Sequence, residues 1–503
     1  MSPEGRGERP RRQHRPNRAH RSNGAHRSNR THRPDRSRLT AFEVIRRVAE
    51  SDAYANLVLP GLLRERDITA RDAAFATELT YGTLRLQGRY DAILAHCTRG
   101  RALEDLDPEV LDLLRLGAHQ LLGMRVPVHA AVSQTVALTR HVVGPAPTGM
   151  VNAVLRTVAE TPLQTWLDQL AAEAEDDVAR LSVAESHPVW VTRAMRQSLL
   201  SELEAAPGRS SDITGELATL LAADNRPPRV ALVARPGLIE PDDLADQVEA
   251  QTRQRPARGA YSPCAVVPGA GDPGRLPAVE AGAAGVQDEG SQLVALALAA
   301  AELEGRDERW LDLCAGPGGK AALLGALAAG RDCRLLANEV APHRAGLVRG
   351  STAAVPAGTV EVRIGDGRSL GAEQPGEFDR VLVDAPCTGL GALRRRPESR
   401  WRRSPADLAT LGSLQRDLLT SALEAVRVGG VVAYVTCSPH VAETRLVVED
   451  TLRRSGGAQL LDASEVTRTV AVSDPDLTGP YVQLWPHRHG TDAMFLALLR
   501  RTA

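Results

Sequence analysis

Trp310-Leu311-Asp312-Leu313-Cys314-Ala315-Gly316-Pro317-Gly318-Gly319-Lys320, followed by the apolar run Ala321 to Ala329, decides the fold of this 503-residue chain. Its first residues predict a short buried strand, its middle a turn made by glycines, and its end the first turns of a helix. At such a junction backbone N–H groups point at a ligand, and missing Cβ atoms let that ligand come close. A nucleotide-like cofactor is the expected occupant.

Three identities compete for the loop. A dinucleotide fingerprint requires G-x-G-x-x-G, which Gly316-Pro317-Gly318-Gly319-Lys320 does not supply. A phosphate-binding P-loop requires four residues between its first Gly and Gly-Lys-Ser/Thr; here the spacing is shorter and Ala321 follows the lysine. An S-adenosylmethionine loop fits best, since it needs an acidic residue on the strand end and close backbone approach without a phosphate cradle. Cys314, Ala315, Gly316, Pro317, Gly318, Gly319 and Lys320 are therefore the candidate cofactor loop. Lys320 is also the only lysine among 61 basic residues, which marks a position where a compact ammonium fits and a planar guanidinium does not.

From Gly285 onward strands and helices alternate, predicting a sheet flanked by helices whose ligands sit beyond the carboxyl ends of the strands. After the loop strand, Leu335 to Glu339 reads as the second strand, Val360 to Asp366 as the third, Val381 to Asp384 as the fourth and Val431 to Cys437 as the fifth. Glu339 is placed to accept hydrogen bonds from the ribose hydroxyls of a nucleoside cofactor, and Asp366 to meet its adenine amino group. Arg344 and Asp384 join this candidate cofactor-binding set.

The fourth and fifth strands run into Asp384-Ala385-Pro386-Cys387-Thr388-Gly389 and Thr436-Cys437-Ser438-Pro439. Two thiols and an acid beside a methyl donor suit the C5 methylation of cytosine. That carbon is a poor nucleophile, so a thiolate first adds to C6 while an acid hydrogen-bonds N3. C5 then takes the methyl group, and loss of the C5 proton with elimination of the thiol completes the cycle. Enzymes that methylate an adenine amino group use an Asn/Asp-Pro-Pro-aromatic motif instead, without a nucleophilic thiol. Two other readings stay open: a catalytically inactive RNA-binding or ribosome-assembly factor, and a methyltransferase acting on another RNA or on DNA.

The formal net charge of -1 conceals an asymmetry. Residues 1–38 carry twelve arginines against Glu4, Glu8 and Asp35, so a +9 segment precedes a body of about -10. With almost nothing apolar to bury, this segment is expected to be a disordered basic tail able to grip nucleic acid phosphates. Helical stripes such as Ala41, Val44, Ile45 and Val48 recur from Leu39 to about Glu160 and predict an all-α domain. Between Leu163 and Ala284 the signal weakens; Arg229 to Arg235 reads as a strand and Pro241 to Thr252 as a helix. No signal-type or membrane-length apolar segment is visible, and six scattered cysteines lack paired metal spacing. A cytoplasmic protein with reduced thiols, no metal and no membrane partner is expected.

Residues 285–500 resemble the Sun/Fmu family of RNA cytosine-C5 methyltransferases, through the loop Cys314 to Lys320, Pro386-Cys387 and Thr436-Cys437. Asp72 to Arg85 and Ser186-His187-Pro188-Val189-Trp190 resemble segments of the bacterial ribosomal RNA members that carry a NusB-like extension. The resemblance implies a Rossmann-like α/β class I S-adenosylmethionine-dependent methyltransferase domain at 285–503. It implies a NusB-like helical RNA-binding domain at 39–162 and a linker with a small α+β subdomain at 163–284, behind the tail at 1–38. It further implies an RNA substrate, 16S ribosomal RNA, acted on by a monomer, with Cys437 as nucleophile, Cys387 assisting product release and Asp384 contacting the base. In DNA cytosine methyltransferases the Pro-Cys cysteine attacks instead. Gln287 to Gln292 also resembles a family segment, as does Arg394-Arg395-Arg396-Pro397-Glu398 with Trp401, which reads as an RNA-contacting loop. The chain departs from the family pattern at Ala315-Gly316, where two alanines are usual, and at Ala493-Met494, where Gly-Phe is usual.

Overall fold

The computed structural model describes residues 34–51, 53–205 and 212–503. The reading of residues 1–33 as a basic tail lies outside the described residues, and the first helix, Arg36–Ser51, begins inside the stretch assigned to that tail. Helices fill the chain to Glu160, the last of them Thr148–Glu160, as the apolar stripes predict. The stripe Ala41, Val44, Ile45 and Val48 is buried against Leu79, Leu113, Leu116 and Leu138. Four further helices follow where the sequence signal is weak: Leu163–Ala172, Asp177–Ala184, Val189–Ala205 and Ile213–Asp224.

A small antiparallel sheet comes next, built from β1 (Leu232–Ala234), β2 (Ala257–Arg258), β3 (Ala265–Val267) and β4 (Ala284–Val286) in the order β2-β3-β1-β4. The helix Pro241–Thr252 packs its buried Leu244, Ala245 and Val248 on this sheet. The expected strand at Arg229 to Arg235 is thus three residues long, and Val230, just outside it, is exposed.

The C-terminal half is one eight-stranded sheet: β5 (Arg309–Asp312), β6 (Arg334–Glu339), β7 (Val360–Ile364), β8 (Phe378–Asp384), β9 (Val426–Thr436), β10 (Ala458–Leu461), β11 (Val482–Gln483) and β12 (Phe495–Arg501). The order is β10-β12-β9-β8-β5-β6-β7, with β11 paired to β12. Strands β5 to β9 pair in parallel, and β12 closes antiparallel on β9. Parallel strands are covered on both faces, which explains the unbroken apolar runs of β8 and β9. Side-chain alternation divides them between two cores. Trp310, Leu382, Ala433 and Leu498 face the helix Glu289–Ala300, while Leu311, Val383, Tyr434 and Leu499 face the helix Pro405–Ala425. The chain leaves β5 toward β6 and β7, then returns to β8 on the other side of β5. A crevice opens at the carboxyl ends of β5 and β8, where strand order reverses.

Candidate active site

The loop after β5 enters this crevice and leads into the helix Gly319–Ala329, whose N-terminus no side chain caps. Its first N–H groups therefore remain available to a ligand. Gly318 has φ 113°, and a Cβ there would lie 2.7 Å from Cβ of Ser351, so turn and packing both require glycine. Glu339 ends β6, 2% exposed, and accepts hydrogen bonds from the N–H groups of Gly316 (3.0 Å) and Ala341 (3.0 Å). Arg344 pairs with Glu339 at 3.5 Å and donates to the Gly316 carbonyl at 2.6 Å. A Cβ at position 316 would sit 2.3 Å from Oε2 of Glu339. The Gly316 departure from the family pattern is therefore what lets this carboxylate fold back on the loop.

Gln287 is buried beside Gly319 with its Oε1 unpartnered, and Asn338 likewise leaves Oδ1 unpartnered at the end of β6. An uncapped helix N-terminus, unsatisfied buried acceptors and a carboxylate at the next strand end fit S-adenosylmethionine, which carries an amino-acid end and a ribose. Asp366 is less committed to the crevice. It caps the helix Gly367–Glu373 through the Arg368 N–H at 2.9 Å and pairs with the Arg368 side chain at 2.6 Å, which holds its carboxyl below the usual range. An adenine amino group at Asp366 would share those oxygens.

Lys320 spans the crevice and donates to Asp384 at 2.9 Å. The single lysine thus serves a point-to-point contact rather than an anion from solvent. Burial opposes its charge, but Asp384 and its other anionic neighbours outweigh that and raise the pKa. Asp312, which closes β5, is fully buried; the Cys314 N–H approaches it without completing a hydrogen bond. Burial, reinforced by Asp384, pushes its carboxyl up to about 8. Burial likewise pushes the Cys314 thiol well up, so this cysteine behaves as a small hydrophobe packed on the core.

The other two cysteines meet. Sγ of Cys387, after β8, lies 3.5 Å from Sγ of Cys437, after β9. Their surroundings differ in sign. The Cys387 thiol is raised by its hydrogen bond to Cys437, by burial and by Glu443, whereas Cys437 is lowered chiefly by that hydrogen bond, with Lys320 adding to it. Either sulfur can donate in this contact, and the surroundings make Cys437 the readier thiolate.

Residues 394–401, which include the expected RNA-contacting loop, are tied into the fold by their own contacts. Arg394 is buried and donates to the Gly490 carbonyl, Arg395 pairs with buried Asp492, and Arg396 lies 4.8 Å over the Tyr54 ring. Glu398 accepts from the Ala55 N–H, and Trp401 packs so closely on Gly88 that a Cβ there would lie 2.3 Å from its ring. Arg400, with no exposed surface, donates to the carbonyls of Arg85 and Ser186 and to Oδ1 of Asn225. A guanidinium has a long apolar stem and five fixed donors, which suits it to such a junction as well as to phosphates. His187, given no role from sequence, is buried here 3.7 Å from Asp224.

The Rossmann-like sheet, the glycine loop at its switch point and the carboxylate closing β6 define a class I methyltransferase dependent on S-adenosylmethionine. The chain belongs to the 16S rRNA methyltransferase RsmB/F family, whose model matches residues 298–500, and the NusB family model matches residues 35–160. A Mycobacterium tuberculosis protein named "Putative methyltransferase" is 50% identical over 466 residues, covering 92% of this chain and 96% of its own. The "Ribosomal RNA small subunit methyltransferase B" of Erwinia tasmaniensis is 30% identical over 471 residues, covering 92% and 98%. Among solved structures, one titled "Crystal Structure of PH0851" matches with TM-score 0.75 at 21% identity, over 93% of this chain and 99% of that one, a likeness of fold. Among the described residues no helix is long and apolar enough to cross a membrane, and no His/Cys/Asp/Glu cluster has the form of a metal site.

Proposed function

We propose that this protein methylates C5 of a cytosine in 16S ribosomal RNA through a covalent bond between Sγ of Cys437 and C6 of the base. The observation that carries the reading is the meeting of two thiols at 3.5 Å beside the Lys320–Asp384 pair. The named relatives that act on small-subunit ribosomal RNA support the substrate. S-adenosylmethionine, held by the loop 314–320, Glu339, Arg344 and Asp366, supplies an electrophilic methyl group.

Cys437 is the nucleophile. Its thiolate adds to C6, and the electron pair of the C5–C6 bond moves toward C5 and N3. The Lys320–Asp384 pair reads the base. Cytosine presents an amino donor at N4 and an acceptor at N3; Asp384 accepts from the first and the ammonium of Lys320 donates to the second. Because Asp384 is in an ion pair, the donor to N3 is Lys320, which reassigns the role expected of an acid. Uracil reverses both groups and would meet donor with donor and acceptor with acceptor. Cys387 keeps its proton while Cys437 attacks. In breakdown the C5 proton passes to solvent, its electron pair re-forms the C5–C6 double bond, and Cys437 leaves as a thiolate that the Cys387 S–H stabilises by its hydrogen bond.

RNA containing 5-fluorocytosine tests this directly, because fluorine at C5 blocks the last step and traps the protein on RNA. Wild type gives an adduct stable on denaturing gels, and Cys437→Ala gives none and no methyl transfer. Cys387→Ala still attacks, and leaves an adduct even on ordinary RNA. An adduct formed by Cys437→Ala and absent from Cys387→Ala would assign the attack to Cys387, as in the DNA enzymes.

A further inference from the structure

Glu443 lies in the short turn Val441–Glu443, after the thiol loop of β9, and has no exposed surface. Its carboxylate has no ion-pair partner among the described residues. Instead it receives four hydrogen bonds. Oε1 accepts from the Thr388 N–H at 2.8 Å and from Nε2 of Gln415 at 3.3 Å, and Oε2 accepts from Oγ1 of Thr388 at 2.5 Å and Oγ of Ser438 at 2.6 Å. Thr388 follows Cys387 and Ser438 follows Cys437. Gln415 in turn donates to the Pro386 carbonyl at 2.8 Å, on the other side of Cys387.

We propose that Glu443 is a positioning residue: its buried carboxylate ties the loop of Cys387 to the loop of Cys437 and fixes the two sulfurs at their working separation. The proposal rests on the covalent reading of the thiol pair given above. Burying an unpaired carboxylate is costly, and a residue serving only to fill this space would be apolar. Four donors saturate the lone pairs of a carboxylate, so neither oxygen is left for substrate. The donors come from both residues that follow the cysteines, and no other side chain described here bonds to both. Beyond the ends of β8 and β9 the two loops also meet through the hydroxyls of Thr388 and Ser438 at 3.3 Å and through the Gly391 N–H on the Cys437 carbonyl at 2.9 Å, and Glu443 holds both of those hydroxyls. The negative charge of Glu443 also raises the Cys387 thiol.

Charge and geometry separate by substitution. In Glu443→Gln the amide oxygen still accepts from the Thr388 N–H, while the amide NH2 donates to hydroxyls that can turn to accept. Glu443→Ala removes every link made by the carboxylate. The full-length protein is mixed with RNA containing 5-fluorocytosine in single-turnover excess. The rate of adduct formation, S-adenosylmethionine affinity by calorimetry and Tm are measured together. Glu443→Ala is expected to slow adduct formation by about 100-fold, the scale of an ångström of misplacement, with cofactor affinity within about twofold of wild type. Glu443→Gln should recover to within about tenfold, one hydrogen bond's worth of loss. Should the Ala variant not fold, Ser438→Ala and Thr388→Val each cut one arm and should each slow the adduct with unchanged cofactor affinity. Adduct formation at the wild-type rate in Glu443→Ala, or in both single-arm variants, overturns the proposal. So does a loss in Glu443→Gln as deep as in Glu443→Ala. Absence of any adduct with wild type would instead defeat the covalent reading on which it rests.

Discussion

Two buried polar centres can be compared within this fold, one under the thiol pair and one at the meeting of helical and catalytic segments. Under the thiols, Glu443 has every lone pair filled. At the junction, Asp224 is buried beside Arg400 and His187, yet both its oxygens lack a hydrogen bond, as does Nε2 of His187. A fully satisfied network specifies one geometry, whereas a partly satisfied one is held in place by its surroundings and carries an energetic cost. The first arrangement suits a site that must hold two sulfurs still. The second is a seam, where segments distant in sequence are joined by one arginine. The short helix Ser399–Arg402 that carries this arginine follows, a few residues on, the turn at Gly391, whose N–H donates to the Cys437 carbonyl at 2.9 Å. Seam and site are neighbours along the chain with opposite polar accounts.

The largest expected effect breaks the seam alone. Arg400→Met keeps the stem but leaves the carbonyls of Arg85 and Ser186 without their donor, and Asp224 without its nearest cation. Removal of one partner from such a buried set costs about 3 to 5 kcal/mol. Chemical denaturation of the full-length protein should register that loss, while the folded fraction still forms the adduct with 5-fluorocytosine RNA at the wild-type rate. Unaltered stability, or a rate lost in proportion to nothing but the substitution, would merge the two centres and void the comparison.

A smaller effect comes from protonation. Burial pushes the Asp224 carboxyl up to about 7, partly opposed by Arg400. The ordinary carboxylate value is about 3.9. Between these values the native state keeps a proton that the unfolded chain has released. Stability therefore falls as pH rises through this window, and its loss is complete above about 7. Asp312, pushed up to about 8 by burial and Asp384, adds a slope of the same sign from the crevice. Asp224→Asn should remove the junction's share and leave that of Asp312. The measurement is the unfolding free energy by chemical denaturation at pH 5 and at pH 8 for wild type and variant, with a difference on the order of a few kcal/mol. Identical slopes would mean that Asp224 titrates as it does in the unfolded chain.

Much of the crevice was legible in sequence because strand ends are marked by composition. The predicted strands Leu335 to Glu339 and Val360 to Asp366 differ from β6 and β7 by one residue at the start and two at the end, and the loop 314–320 lies where its glycines placed it. What could not be read is which side chains meet. Cys387 and Cys437 are fifty positions apart, so their separation comes from β8 pairing with β9. Glu443 carried no signal, since a glutamate in a polar stretch has the appearance of a solvated residue until Thr388 and Ser438 are brought to it. Four helices between Leu163 and Asp224 were missed because their apolar faces are completed by distant parts of the chain: Trp166 and Leu170 join the core of the preceding helices, and Leu181 to Leu221 pack with Leu390, Leu393 and Trp485. The ties of Arg394 through Glu398 and of Trp401 into the fold were not legible for a related reason. Arginine density reads as a nucleic-acid loop, but the same guanidinium fork binds backbone carbonyls at a seam.

The smallest effect distinguishes the crevice from the seam on the cofactor side. Glu339 takes the Gly316 N–H on one oxygen and the Ala341 N–H on the other, where Arg344 also approaches at 3.5 Å, which leaves acceptor capacity for ribose hydroxyls chiefly on the first. Glu339→Ala deletes that acceptor. The loop should not collapse with it, because Arg344 still donates to the Gly316 carbonyl and Gly318 still turns the chain into its helix. The loss should therefore appear in binding rather than in folding, at roughly 1 to 3 kcal/mol of S-adenosylmethionine affinity by calorimetry. Tm should move far less than for Arg400→Met. Glu339→Gln, which keeps one acceptor, should fall between wild type and Ala. Unchanged affinity in Glu339→Ala would remove this carboxylate from the cofactor site and leave it a brace for Gly316. A fall in Tm as large as that of Arg400→Met would make the crevice, like the seam, a structural centre first.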